Sequence, residues 1–275
     1  MMDDDRHVDT STAARAQPTS DDVILQVSNL GKQFGGVAAV SGVDLDVYRH
    51  ETLAIIGPNG AGKTTFYNLL SGRMQPTSGR IVFDGRDITG LPPHRISRLG
   101  VSRSFQINNI FEDMTVRENV EVAVTAFRGD SHRWANVASR NVPIQDEADG
   151  LLARLSLSTL ADRRAGTISY GDKRLVEIAV VLATRPHLVL LDEPTAGMTP
   201  DETHRVTDLI MSLRASGDYT FLITEHDMNV VFGLADRILV MHRGQKLVLG
   251  TPQEVRTHPE VRRAYLGDAE EEIAT

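Results

Sequence analysis

The sequence lacks several features that would point to particular kinds of protein. It contains no cysteine, which excludes disulfides and cysteine-ligated metal sites. No apolar stretch approaches the ~20 residues that a transmembrane helix needs, because the longest runs, 179–183 and 188–191, are separated by Arg185, Pro186 and His187. Positive charge is not in excess either, since the net charge is −8 and the pI is about 5.6. Without a basic field, the chain is not expected to bind nucleic acid.

The two ends of the chain lack the patterns of folded or targeted segments. Residues 1–21 are polar, show no periodicity and contain no apolar core of a signal peptide. They are predicted to form a disordered tail, and residues 267–275 a second tail. Without a signal peptide or a spanning segment, a cytoplasmic location is the default expectation. The apolar fraction of 41% is ordinary for a globular protein, and 275 residues suffice for one large core, with or without a helical appendage.

The most informative segment is a glycine-rich stretch that comprises Gly57, Pro58, Asn59, Gly60, Ala61, Gly62, Lys63, Thr64 and Thr65. It follows an apolar run at 52–56 and precedes a helix-compatible stretch at 65–71, the context in which this motif binds a nucleoside triphosphate. Glycines let backbone N–H groups approach phosphate oxygens, and the helix N-terminus adds positive potential. Lys63 would reach the outer phosphates, and the Thr64 hydroxyl would bind Mg²⁺. A glycine-rich turn with a chance lysine is the alternative, which the complete motif and its flanks disfavour.

A second element is the apolar strand H-L-V-L-L-D-E-P at 187–194, which ends in two carboxylates. Open α/β sheets bind ligands at the carboxyl ends of their strands. Asp192 would hold Mg²⁺ directly or through water, and Glu193 would orient and deprotonate an attacking water as a general base. Two acids at a strand end are common by themselves, so this assignment depends on the phosphate loop at 57–65.

A third element is I-S-Y-G-D-K-R at 168–174, followed by apolar residues at helical spacing. Ser169, with Asp172 three residues later, resembles a capping box at a helix N-terminus. A well-capped helix explains this pattern in isolation. In a chain that also carries the phosphate loop and the Asp-Glu pair, the same helix N-terminus is interpreted as a further anion receptor.

Hydrophobic periodicity predicts an α/β core interrupted by a mostly helical subdomain at about residues 95–167. Within that subdomain a helix begins at Thr115, with Glu118 as its capping-box partner, and a loop at 129–143 precedes another helix at 144–156. Continuous apolar runs in the second half suit strands that are covered on both faces. The predicted core elements are strands 23–27, 43–48, 53–56, 79–83 and 188–191, helix 201–215, strand 219–224, helix 228–234, and strands 238–241 and 246–249.

In their order, these motifs resemble the ATP-binding subunit of an ATP-binding cassette (ABC) transporter. The resemblance covers about residues 23–266, and the ATP-binding domain is predicted at 22–266. It implies an α/β P-loop NTPase fold, with a RecA-like mixed-sheet core, an antiparallel β subdomain and the inserted helical subdomain. It also implies ATP hydrolysis as the reaction, with ATP and Mg²⁺ as cofactors.

Several residues receive a role only from this resemblance. Gln106, in S-F-Q, matches the family glutamine that senses Mg²⁺ or water and the membrane partner. His226, in T-E-H-D, matches the histidine that contacts the γ-phosphate, and Phe34, in K-Q-F-G-G, matches the aromatic that stacks on adenine. By themselves, such residues are more often structural. The signature segment that serves the nucleotide of a second subunit is matched by Ser169, Tyr170, Gly171 and Asp172.

The chain departs from the family pattern in two places. The usual signature is L-S-G-G-Q, from which Ile168, Tyr170 and Asp172 differ. Many cassettes also carry an aspartate at the position of Met198 or Thr199. These differences concern contacts between subunits and communication between their two sites.

Longer stretches, such as R-S-F-Q-I-N-N-I-F-E-D-M-T-V-R-E-N-V, look like branched-chain amino acid importer subunits and their urea and short-amide relatives. The likeness implies transmembrane permease subunits that dock at about residues 106–124, and an extracytoplasmic substrate-binding protein. It also implies a second cassette, identical or distinct, with two ATP molecules held between the pair at the cytoplasmic face of the membrane. The residues alone identify neither cargo nor direction.

Two other classes of function remain as alternatives from the sequence. A soluble cassette of translation or DNA repair usually carries two cassettes, or a long coiled coil and a basic surface, whereas this chain has one cassette and a net negative charge. A regulatory module that holds ATP without turnover would not need Lys63, Glu193 and His226 together.

Overall fold

The computed structural model describes residues 22–104, 110–129 and 142–264. The predicted tails at 1–21 and 267–275, and residues 130–141 of the predicted loop at 129–143, lie outside these ranges. The described part of the chain contains two β-sheets with helices packed against them. Within it, no helix combines the length and apolar composition needed to cross a bilayer.

The smaller sheet is antiparallel, with the strand order β2-β1-β4-β5. Asp84 and Gly85, both with positive φ, form the tight turn between β4 and β5. Buried and exposed positions alternate over much of β2, as its sequence pattern predicts for a half-buried strand. The strands of this sheet are β1 (Val23–Phe34), β2 (Val37–Tyr48), β4 (Ser78–Phe83) and β5 (Arg86–Asp87).

The larger sheet has the order β10-β9-β3-β8-β7-β6 and is parallel except for the β9–β10 pair. All residues of β3, β7 and β8 are buried, which explains why their sequences are continuous apolar runs. Its strands are β3 (Thr52–Ile56), β6 (Val101–Arg103), β7 (Leu188–Asp192), β8 (Thr220–Thr224), β9 (Arg237–His242) and β10 (Gln245–Gly250). This mixed sheet beside an antiparallel one confirms the predicted fold class.

Three helices begin with a capping box. Thr115 and Glu118 form the predicted capping box, and T-P-x-E segments at 199–202 and 251–254 form two others. The helices are α1 (Lys63–Leu70), α2 (Pro93–Arg98), α3 (Val116–Arg128), α4 (Val142–Arg154), α5 (Tyr170–Leu182), α6 (Pro200–Ala215), α7 (Met228–Leu234) and α8 (Pro252–Thr257).

The helical subdomain starts later in the chain than residue 95. Strand β6 pairs with β7, so residues 101–103 belong to the core sheet. The chain then leaves and returns through a neck in which Thr115 bridges Arg164. Backbone bonds from Val116 N–H to Arg163 and from Ala165 N–H to Met114 close this neck.

The larger sheet separates two apolar cores, because alternate side chains of each central strand point to opposite faces. On β3, Leu53 and Ile55 face the core shared with α1 and the antiparallel sheet. Ala54 and Ile56 face the core shared with the helices of the other layer, including α3 to α7. Both layers fix the carboxyl edge of this sheet, where the candidate site lies.

Asn119 fixes the described segment just before α3. Its Oδ1 accepts from Phe111 N–H at 2.6 Å, while Nδ2 donates to the carbonyls of Phe111 at 3.0 Å and Thr115 at 2.8 Å. The Asn119 side chain is buried, whereas the Phe111 side chain remains 55% exposed. One amide therefore holds the backbone that presents Phe111 at the surface.

Asn119→Ala should lower the free energy of unfolding by about 2–4 kcal/mol, because it leaves part-buried backbone groups without their partners. The measurement is urea denaturation of the full chain. Asn229→Ala, at an exposed position of α7, is the control and should stay within about 0.5 kcal/mol. Equal effects of the two substitutions would contradict the proposed anchoring.

Candidate functional site

The phosphate loop at 57–65 connects the carboxyl end of β3 to the N-terminus of α1. Gly62 is the N-cap of α1 with φ of 97°, and a Cβ there would lie 2.4 Å from the Ala39 carbonyl oxygen. A Cβ at Gly57 would lie 2.2 Å from the Met241 carbonyl oxygen. The loop is therefore pressed against β2 and β9, and only glycine fits at these two contacts.

Lys63 lies over this loop. Its Nζ donates to the carbonyls of Gly57 at 2.5 Å and Pro58 at 3.2 Å. Burial lowers the pKa of Lys63, while the carboxylates of Glu193 and Asp192 act in the opposite direction. The Lys63 ammonium thus lies against the backbone of the loop and close to the carboxylates of Glu193 and Asp192.

Asp192 ends β7 in a buried ion pair. Its Oδ2 accepts from Arg103 Nη2 at 2.6 Å, and its Oδ1 accepts from the Thr224 hydroxyl at 2.6 Å. The side chains of Arg103 and Asp192 are only 7% and 4% exposed. Arg103 Nη1 also donates to Asn68 Oδ1 at 2.7 Å, which ties β6 to α1. Sequence reasoning missed Arg103, because the short strand β6 that carries it shows no periodicity and its partner Asp192 is distant in sequence.

The oxygen donors here fit the predicted Mg²⁺. Thr64 is exposed in the first turn of α1, and each Asp192 oxygen keeps a lone pair beyond its present hydrogen bond. Within the described ranges, no group of three His, Cys, Asp or Glu side chains could hold a metal ion. Mg²⁺ commonly takes one or two protein oxygens together with phosphate oxygens and water, so this sparse donor set suits it.

Glu193 is held in an unusual backbone conformation. Its φ is +47°, a region that non-glycine residues rarely adopt. The Glu193 N–H donates to the Thr224 carbonyl at 3.0 Å, and the carboxylate Oε1 lies 3.0 Å from His226 Nε2. Strained residues of this kind cluster at functional sites. The structure therefore brings two of the predicted catalytic residues into direct contact.

Glu225, which sequence reasoning also missed, fixes the turn after Glu193. It is buried and accepts from the Thr195 N–H at 2.8 Å and from the Thr195 hydroxyl at 2.7 Å. Its other oxygen accepts from the His226 N–H at 3.2 Å. A carboxylate between two hydrophilic neighbours carries no local pattern that separates this role from a surface role.

The signature segment at 168–172 begins α5. Ser169 is the predicted N-cap and accepts from the Asp172 N–H at 3.1 Å, and both Ser169 and Tyr170 are exposed. Gly171 is buried, and its N–H donates to Glu202 Oε1 of the same chain at 3.0 Å. Of the two residues expected to meet a partner's nucleotide, Ser169 is therefore accessible and the Gly171 amide is already bonded.

Two predicted residues remain, Phe34 and Gln106. Phe34 ends β1 and is half exposed, with Lys32 Nζ 5.3 Å from the centre of its ring. An exposed aromatic of this kind can stack on a flat ligand. Gln106 lies outside the described residues.

Comparisons with known proteins agree with this geometry. The family model described as ABC transporter matches residues 40–196, more than half of the chain, and the model described as branched-chain amino acid ATP-binding cassette transporter matches residues 245–271. A high-affinity branched-chain amino acid transport ATP-binding protein of Pseudomonas aeruginosa, BraF, is 43% identical over 90% of this chain and 98% of its own length. The corresponding LivG protein of Escherichia coli K12 is 41% identical with the same coverage.

Solved structures show the same similarity. A nucleotide-free ATP-binding cassette from an ABC transporter superposes with a TM-score of 0.78 at 32% identity, covering 88% of this chain and 98% of that one. An ATP-binding cassette of an ABC transporter in its ADP conformation gives a TM-score of 0.80 at 33% identity, covering 89% and 99%.

Arg103→Met should lower the free energy of unfolding by about 3–5 kcal/mol, because it leaves the Asp192 carboxylate buried without its cation. Urea denaturation without nucleotide measures this change. The double substitution Arg103→Met with Asp192→Asn should recover part of the loss. Arg80→Met, which breaks the exposed pair with Asp87, is the control and should cost less than about 1 kcal/mol. A similar small loss for Arg103→Met would refute the buried pair.

Proposed function

Because the chain belongs to the ABC transporter family as its ATP-binding, ATP-hydrolysing subunit, we propose that it powers the import of branched-chain amino acids. The names of the BraF and LivG relatives, which are branched-chain amino acid transport proteins, support this cargo. The family-model match at 245–271 supports it independently of the phosphate loop. The contact between Glu193 and His226, next to the phosphate loop, is the observation that carries the catalytic part of the proposal.

The chain's own residues divide the work of hydrolysis. The loop N–H groups and Lys63 bind the phosphates, and Phe34 stacks on the adenine. Thr64 and Asp192 would hold Mg²⁺, with Gln106 in the same group by resemblance, and the ion would neutralise charge on the phosphate oxygens. Glu193 orients the attacking water and takes its proton, while His226 steadies the carboxylate through the 3.0 Å contact.

A second cassette completes the nucleotide site in this proposal. Ser169 is exposed at the N-terminus of α5, where the helix dipole favours an anion. Tyr170 and Asp172 flank the same helix start. The Gly171 amide must leave Glu202 before a phosphate of the partner's nucleotide can accept from it. Hydrogen bonds from Thr199 and Gly171 lower the pKa of Glu202, so this competing carboxylate stays ionised at neutral pH.

The remaining partners follow from the transporter assignment. Permease subunits dock near residues 106–124, where Phe111 is exposed and held in place by Asn119. They carry the pore, and an extracytoplasmic protein delivers the amino acid to them. The cassette lies at the cytoplasmic face of the membrane and is attached through the permease.

Glu193→Gln should reduce phosphate release by the purified chain at least about 100-fold, since it removes the proposed general base. Nucleotide binding should persist, and MgATP at 100 times its dissociation constant should still stabilise the fold by about 2.7 kcal/mol. Phosphate release and thermal unfolding measure the two effects. Glu260→Gln, at an exposed site after α8, is the control. Equal turnover by Glu193→Gln and the unaltered chain would refute the catalytic assignment.

Glu202→Ala should tighten ATP-dependent association of cassettes about tenfold, because it frees the Gly171 amide and removes a carboxylate that competes with phosphate. Association is measured by light scattering in the Glu193→Gln background, where ATP persists. Glu254→Ala is a matched control, since Glu254 makes the same capping box without touching the signature segment. Unchanged or weaker association for Glu202→Ala would contradict the release of Gly171.

A further inference from the structure

Arg174 joins the signature helix to the catalytic turn of its own chain. Its Nη2 donates to the carbonyls of Asp192 at 2.9 Å and Glu193 at 2.8 Å, and its Nε donates to the Pro194 carbonyl at 3.3 Å. The three acceptors are consecutive along the chain. Nη1 donates to Glu177 Oε2 at 2.6 Å, one turn further along α5.

This arrangement is buried and specific to a guanidinium group. The Arg174 side chain is 11% exposed, and that of Glu177 is 9% exposed. Because the guanidinium is planar and carries five donors, it can bond several carbonyls and a carboxylate at once. A lysine ammonium at the same place has three donors around one atom and cannot reach all these acceptors together.

The turn that Arg174 bonds contains Glu193, whose backbone conformation is unfavourable by itself. Glu193 has φ of +47°, and such a conformation persists only where surrounding contacts impose it. From one side, the backbone and hydroxyl of Thr224 accept from the Glu193 N–H. From the other side, Arg174 donates to the carbonyls of Asp192 and Glu193. These carbonyls belong to the peptide groups before and after the Glu193 Cα, so the backbone that directs the carboxylate toward His226 is held on both sides.

We propose that Arg174 is a positioning residue for Glu193. Because Arg174 belongs to α5, the orientation of the Glu193 carboxylate then depends on the position of that helix. This inference rests on the proposed catalytic role of Glu193. The N-terminus of the same helix carries Ser169 and Gly171, which face the partner's nucleotide in the proposed dimer. Arg174 lies about one turn into α5. It therefore connects the N-terminus of this helix to the turn that carries Glu193. A shift of α5 on engagement of the partner is therefore passed to the general base of this subunit's own site.

Arg174→Lys tests the inference by separating catalysis from binding. The substitution keeps the positive charge but loses the planar guanidinium group that bonds the turn carbonyls. The rate constant kcat should therefore fall about 10- to 100-fold, because small misplacements of a catalytic group have effects of this size. KM and the dissociation constant for nucleotide should stay within about twofold, because Arg174 donates to turn carbonyls rather than to the phosphate loop. Single-turnover rates are expressed per bound nucleotide, so that unfolded molecules do not enter the measurement.

Arg214→Lys is the matched control. Arg214 also donates to a carboxylate, that of Asp236, and to a carbonyl, that of Leu234, but on α6 and away from the catalytic turn. Its kcat should match that of the unaltered chain. An equal fall in kcat for both variants would show a general loss of structure and would overturn the positioning role.

A double-substitution cycle with Glu193→Gln shows whether Arg174 acts through Glu193. In the Glu193→Gln background, Arg174→Lys should change the residual rate less than about twofold. The same large factor in both backgrounds, or no effect in the unaltered background, would overturn the inference. If Glu193→Gln alone leaves turnover intact, the proposed function fails first, and the two failures are thus distinguishable.

Discussion

A carboxylate buried at the end of a parallel strand needs partners for its charge. For Asp192, those partners come from neighbouring elements, and the geometry of the site depends on them. Thr224 supplies a hydroxyl from the neighbouring strand β8, and Arg103 supplies a guanidinium from β6 on the other side. Arg103 also bonds Asn68 on α1, the helix that begins with the phosphate loop. This ion pair and its hydrogen bonds therefore connect three strands and the helix that follows the phosphate loop.

The same edge combines features that stabilise the fold with features that destabilise it. The buried ion pair and the close contacts of Gly57 and Gly62 fix the loop and its neighbours. The positive φ of Glu193 and the buried Lys63 ammonium are unfavourable by themselves. They persist because Arg174, Thr224 and the loop carbonyls surround them. Such local conflict is typical of places where a protein keeps groups ready for a ligand.

Much of this structure could be predicted from the sequence, since the signals are local. The phosphate loop, the apolar strands β3, β7 and β8, and the Thr115 capping box all follow from short patterns. The strand β6 was missed because its three residues carry no periodicity. Without that strand, the start of the helical subdomain was predicted too early in the sequence. Arg103 and the Glu202 contact to Gly171 could not be found, because their partners are distant in sequence. Those pairings exist only once the sheets and helices are packed.

The neck between Thr115 and Arg164 has a consequence for the length of chain that it encloses. Since backbone bonds clamp the two ends of the excursion together, its length is energetically separate from the edge of the sheet. Doubling a flexible connection inside such a closed excursion costs only about 0.6 kcal/mol of chain entropy. Insertions and deletions within the excursion can therefore accumulate while the carboxyl edge of the sheet keeps the same geometry.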